Sequence, residues 1–171
     1  RIDFKLPKVI LITGPAGEDA RLGGLSEDAL ALVFQRCKEM TVPLLIEADG
    51  ARQRSLKAPA LYEPAIPKWV AGVVVVAGLG GLGKPLDEET VHRPEVFAEL
   101  SGCELGAPVR AAHLQTVLAS TRGGLKGIPE GARRILFLNQ AEGNRLEEMG
   151  FQLAREHLGV YDRVLVGSLR Q

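Results

Sequence analysis

Two carboxylates one residue apart, Glu47 and Asp49, close the apolar run LLIEADG, and Gly50 follows them. Nucleotide hydrolases use an acid at such a strand end to orient a metal-bound water, and a glycine beside it lets the backbone approach an outer phosphate. Glu47 and Asp49 are therefore candidates for metal binding and catalysis, with Gly50 as a ligand contact. The plainer reading stays open: strand-end acids also cap turns or pair with nearby cations, and Arg52, Arg54 and Lys57 are all close in the chain. Lys57, in LKAP, is either an anion contact or a surface lysine.

The stretch GLGGLGKP, residues 78–85, fits G-x-x-x-x-G-K until its last position, where Pro85 stands in place of Ser or Thr. A phosphate loop needs inward backbone N–H groups, a lysine for the outer phosphates and a hydroxyl for magnesium. Proline supplies neither hydroxyl nor N–H, and Asp87, Glu88 and Glu89 follow it. These residues read as a Walker decoy. Gly78, Gly80, Gly81 and Gly83 then serve tight turns that need positive φ, and Lys84 remains a candidate point charge for an anion. TGPAGEDAR, after the first apolar run, holds no Gly-Lys pair and reads as a turn.

Downstream, Thr90-Val91-His92-Arg93-Pro94-Glu95 brings a histidine and an arginine to the entrance of a short helix. Together they suit an anionic group or a proton transfer. Alternatively they are a helix-entry loop in which Arg93 pairs with Glu88 or Glu89. His113 and His157 fall within helices, with no second ligand at helical spacing. FLNQAEGN and VGSL resemble in order the loops that hold guanine in GTPases, with Asn139, Glu142 and Ser168 as base contacts. Gln140 lacks the charge of the usual lysine, and Glu142 is one methylene longer than the usual aspartate. An asparagine that ends a strand and caps a helix accounts for Asn139 equally well.

The elements that must position these groups follow from periodicity. Continuous apolar runs at residues 8–13, 44–48, 72–78, 134–139 and 163–168 suit strands buried on both faces of a mostly parallel sheet. Between them, residues 26–40 open on Ser26, a good N-cap, and repeat apolar residues at helical spacing. Residues 143–158 and 108–120 read as further helices, and Pro94 begins a short one that ends before Gly102. Alternating strands and helices predict an α/β fold, a mostly parallel sheet with helices on both faces, in one domain over residues 1–171. Two long loops, residues 49–70 and 78–93, leave strand ends. Ligands of open α/β sheets bind outside the carboxyl ends of strands, so the site is sought there.

The bulk composition narrows the partners. Twenty-one basic and twenty-one acidic side chains cancel, and no basic run is interleaved with aromatics, which argues against a nucleic-acid partner. No apolar run reaches the roughly 20 residues of a membrane span. Two isolated cysteines and no signal peptide suggest a reducing, cytoplasmic setting.

IEADGARQRSLKAPALYEPAIP and GLGGLGKPLDEETVHRPEVFAELSG together resemble the YqeC family, accessory proteins of selenium-dependent hydroxylases. The likeness is strongest from residue 46 to 100 and looser through RILFLNQAE and YDRVLVGSL. The family itself reads G-K-P, so Pro85 is its normal residue, whereas Gly80 stands where an Asp is usual. The resemblance implies a P-loop NTPase-like three-layer architecture and a role in maturing selenium-dependent molybdenum hydroxylases. It also implies ATP or GTP with Mg2+ as cofactor, bound with the help of a GGKTT-type phosphate loop upstream of this stretch. The chain would then be the C-terminal part of a longer NTPase-like protein, with a molybdenum hydroxylase or its cofactor-maturation machinery as partner. Two alternatives are a non-catalytic α/β module that carries a cofactor or docks on a hydroxylase, and a small enzyme acting through Glu47, Asp49 and His92.

Overall fold

The computed structural model describes residues 9–16, 22–157 and 159–169 of the chain. It divides into two compact units, residues 1–46 and 47–171. The first contains helix α1 (Glu27–Met40). Ser26 caps it as expected: its Oγ accepts from the Ala29 N–H, and Thr41 ends the helix in the left-handed conformation at φ 55. Nothing on α1 is buried. The expected strand at 8–13 does not form over its described residues, and neither does the one at 44–48. Val9, Leu11 and Leu45 are more than four-fifths exposed. The physical reason is pairing: a strand needs a neighbour for its backbone groups, and no described residue pairs with either run.

The second unit holds the expected parallel sheet. β2 (Gly72–Gly78), β4 (Arg133–Asn139) and β5 (Arg163–Val166) pair in the order β2-β4-β5, all parallel, with Gly78 level with Asn139. Two short segments outside the expected set, β1 (Leu56–Lys57) and β3 (Val91–His92), form a separate parallel pair that sets Lys57 beside His92. The helices fall where periodicity puts them. α2 (Pro94–Ser101) starts on Pro94, whose missing N–H costs nothing there, and ends at Gly102 with φ 71. α3 spans Ala111–Ala119 and α4 spans Gly143–His157.

Side-chain alternation shows how the sheet packs. Ala77, Leu136 and Leu138 are buried on one face, with Val75, Val164 and Val166 packed against the same core. Helix α4 comes close because Gly150 has no Cβ; one there would stand 2.7 Å from Val166 Cγ1 and 2.9 Å from Leu79 Cδ1. Phe97 of α2, Leu114 of α3 and Leu153 of α4 complete this core. Register places Val74, Val76, Ile135, Phe137 and Leu165 on the opposite face, where Val74, Val76 and Leu165 are more than half exposed. No helix among the described residues is long and apolar enough to cross a membrane.

Candidate functional site

The loop after Asp49 is tied down by charge. Lys57 Nζ lies 2.7 Å from Asp49 Oδ2 and 3.1 Å from Glu63 Oε2, and donates to the Gly50 carbonyl at 3.0 Å. Arg93 grips the same carboxylate with both terminal nitrogens, Nη1 to Glu63 Oε2 and Nη2 to Oε1, each at 2.8 Å. This planar fork is the geometry a guanidinium offers best. Arg93 therefore pairs with Glu63 and not with Glu88 or Glu89. It does so from the left-handed conformation, φ 66, immediately before α2. The peptide joining Glu63 to Pro64 is cis. Lys126 Nζ donates to the carbonyls of Ala60 and Leu61 and holds the outer part of the loop.

The electrostatics follow from this packing. Burial pushes the Glu63 carboxyl up, but hydrogen bonds from Arg93 and Lys57, and their charges, bring it down to about 2. Burial lowers the Arg93 guanidinium, and the Glu63 bonds outweigh that and raise it. His92 is lowered from its ordinary value, first by burial and then by the cations Arg93, Arg52 and Lys57. Two cations, Lys57 and Arg93, thus face two carboxylates, Asp49 and Glu63, so the cluster is close to neutral. It gathers Asp49, Gly50, Lys57, His92 and Arg93 from the residues singled out in the sequence. Glu47 is exposed beside Gly50, where a Cβ would stand 3.5 Å from Glu47 Oε1.

The glycine loop is held by contact. After β2 the chain makes one short 3-10 turn (Leu79–Gly81). Of the four glycines, Gly83 alone has positive φ, at 81; the expectation that all serve left-handed turns is corrected here. The other three make room. A Cβ on Gly78 would stand 2.5 Å from Gln140 Oε1 and 2.8 Å from the Ser55 carbonyl, and one on Gly80 would stand 2.7 Å from Gln140 Oε1. A Cβ on Gly81 would meet Leu56 Cδ1 at 2.7 Å. Gln140, itself left-handed at φ 61, lays its carboxamide across this loop, and its Oε1 is buried with no hydrogen-bond partner. Lys84 is exposed at the far end of the loop, where its backbone N–H bonds to the Gly81 carbonyl.

The third group comes together at the carboxyl ends of β4 and β5. Asn139 Oδ1 accepts from the N–H groups of Gln140, at 2.8 Å, and Leu169, at 3.1 Å. Ser168 Oγ donates to Glu142 Oε1 at 3.2 Å, and the Ala141 N–H bonds to the Gly167 carbonyl. Asn139, Glu142 and Ser168 thus form one connected loop pair. Gln140 links this pair to the glycine loop and Ser55, and Ser55 leads through Leu56 into the Lys57 cluster. A cavity of about 760 Å³ lies elsewhere, at the amino ends of β4 and β5, lined by Arg133, Arg134, Tyr161 and Arg163 among others. Among the described residues no three His, Cys, Asp or Glu side chains gather as a metal site.

Sequence reasoning missed Glu63 and Gln140. Glu63 stands directly before Pro64 in a loop stiffened by prolines, a setting that suggests architecture rather than charge chemistry. Charge alone could not have singled it out, because Glu47, Asp49, Glu88 and Glu89 were all available in the sequence to pair with Lys57 and Arg93. For Gln140 nothing local signals its role, since the glycines it needs lie about 60 residues away.

Comparison with known proteins bears on these same loops. The family model described as "YqeC protein" matches residues 3–95. The curated "Uncharacterized protein YqeC" of Escherichia coli (strain K12) is 37% identical over 120 residues, covering 70% of this chain and 46% of that protein. The chain therefore spans about half the length of the relative it matches. No solved structure matches. With the ADG corner, the LKAP loop, the glycine loop and VHRPE all inside the matched stretch, the chain belongs to the YqeC family.

Proposed function

We propose that this chain is part of an accessory protein that matures selenium-dependent molybdenum hydroxylases, and that it handles a nucleotide or related phosphate ligand. The supporting observation is the joining of the Asn139–Glu142–Ser168 loops to the glycine loop where the parallel strands β2 and β4 end. Open α/β sheets bind ligands at such ends.

In this reading Asn139, Glu142 and Ser168 contact the base. Lys84, exposed and outside the carboxylate cluster, is the cation best placed for a phosphate. Glu47 and Asp49 hold magnesium, which when bound would offset phosphate charge and orient a water. Both supply the carboxylate oxygens that magnesium takes. Asp49 already faces Lys57, so Lys57 sets the carboxylate's direction and moderates its affinity for a metal. His92, lowered from its ordinary value first by burial and then by Arg93, Arg52 and Lys57, is the proton-transfer group of this reading. A P-loop NTPase-like layering and a cytoplasmic location belong to the same proposal.

Calorimetric titration with ATP and with GTP, each with and without magnesium, tests it on the full-length protein. Binding that weakens at least about tenfold in Glu142→Ala supports it; no heat with either nucleotide overturns it. A second reading, a binding module without turnover, is favoured by one observation: Lys57 and Arg93 are both neutralised by carboxylates, which leaves few cations for a phosphoryl-transfer centre. Nucleotide binding with no phosphate release would select that reading.

A further inference from the structure

The turn at residues 51–54 is closed by the Arg54 N–H, which donates to the Ala51 carbonyl at 2.9 Å. Both of its central residues are left-handed, Arg52 at φ 50 and Gln53 at φ 64. Such turns are normally built from Gly, Asn or Asp, because a longer side chain is strained at either position. Strain of this kind collects where a side chain engages a ligand. The turn is also fastened in place. Arg54 donates from Nη1 to the Arg52 carbonyl and from Nε to the Glu88 carbonyl, each at 2.7 Å. Just beyond it, the Leu56 and Ala58 N–H groups donate to the carbonyls of Thr90 and His92, at 3.3 and 3.1 Å. Arg52 is thereby carried alongside residues 88–92, and every one of these contacts lies within residues 47–171.

Charge supplies an independent observation. Of the charged groups that act most strongly on His92, Arg93, Arg52 and Lys57 are cations and Glu63 alone is a carboxylate. Arg93 and Lys57 are held by Glu63 and Asp49. Arg52 enters no ion pair among the described residues. We propose that Arg52 and His92 seat an oxyanion, a phosphate or pyrophosphate group, with the Arg52 guanidinium as its fork. This ligand class rests on the phosphate-binding function proposed above. A guanidinium offers such a group two parallel N–H bonds, and the histidine ring completes the seat by taking up a proton. The sign follows from the surroundings. Burial and the three cations hold His92 below its ordinary value. A bound anion offsets the cations, so the ring's affinity for a proton rises on binding. The proton passes from the buffer acid to the unprotonated ring nitrogen, which then donates to the anion. Neither Lys57 nor Arg93 has to leave its carboxylate.

Calorimetric titration of the full-length protein with inorganic phosphate and with pyrophosphate, at about pH 6, tests the seat. Binding is expected, with a dissociation constant raised at least about tenfold in Arg52→Ala and less than about twofold in Gln53→Ala, its neighbour in the same turn. Arg52→Gly separates binding from folding: it relieves the left-handed strain, so it should keep or raise the urea midpoint while binding as poorly as Arg52→Ala. Titration in two buffers of different ionisation enthalpy should show more proton uptake in the native chain than in His92→Gln. The proposal is overturned if neither anion binds up to about 10 mM, or if Arg52→Ala binds as tightly as the native chain. Equal proton uptake with and without the ring also overturns it. Pyrophosphate bound through Arg52 while ATP and GTP are refused keeps the seat and ends the nucleotide reading. Nucleotide binding that Arg52→Ala leaves intact does the reverse.

Discussion

The loop from Asp49 to Val70 and the loop from Gly78 to Lys84 border the same candidate site, but different forces hold them. The first is long and carries side chains that reach across space: Glu63 is shared by Arg93 and Lys57, and Lys57 by Asp49 and Glu63. The second is short and stripped of side chains at the points of contact, so that Gln140 and Leu56 can rest on its backbone. A lock made of charge responds to pH and to competing ions. A lock made of close contact responds to volume alone.

The sharpest way to break the contrast is Glu63→Ala. It leaves Arg93 and Lys57 partly buried without their shared partner, and should cost about 3 kcal/mol in urea unfolding. Arg93→Ala in the same background should cost much less than it does alone, because the two effects are not independent. Close behind comes acid. A carboxyl depressed to about 2 contributes stability that is complete above its ordinary value of 4.5 and is lost as pH falls through about 2. Solvent screening holds the contribution well below the full shift, and Glu63→Gln should flatten that limb of the stability profile. His92 adds an earlier decline with the same sign. Its folded pKa lies below 6.5, so the unfolded chain binds the extra proton and stability begins to fall below that pH. His92→Ala should remove this part.

On the other side of the comparison, Gly78→Ala forces a methyl toward the Ser55 carbonyl, backbone that cannot swing aside. About 2 kcal/mol is expected, unchanged between pH 4 and 8 within about 0.3 kcal/mol. A strong pH dependence there would erase the distinction between the loops. The smallest effect is Lys84→Ala. Exposed and outside both locks, it should alter stability by less than about 0.5 kcal/mol, while weakening any phosphate ligand in the calorimetric titration.

How far the sequence could be read depended on the range of the information. Helix α2 was legible to the residue, because Pro94 and Gly102 are local instructions about backbone conformation. Ser26 announced α1 in the same way. GVVVVAG, RILFLN and RVLVGS, the last over its first four residues, were legible as strands because continuous apolar residues of that length have little else to become. KVILIT and LLIEA carry the same signature, yet form no strand over the residues described. A run of apolar residues states a preference, but a strand exists only with a neighbour, and neighbours are not written in the run. The same limit applied at the site. The types at Asp49, Lys57, His92 and Arg93 pointed to charge chemistry, while their mutual neutralisation depended on Glu63 reaching back across the loop.

By itself the sequence determined the α/β alternation, both ends of α2, the cap of α1 and the family, since each is carried by short-range backbone preference or by a contiguous motif. Only the tertiary structure decided which acid meets which base, and that three of the four glycines yield space to Gln140 and Leu56 where left-handed turns had seemed the reason. Those outcomes are set by distances between residues far apart in the chain, and spacing along a polypeptide does not encode them until the strands have paired.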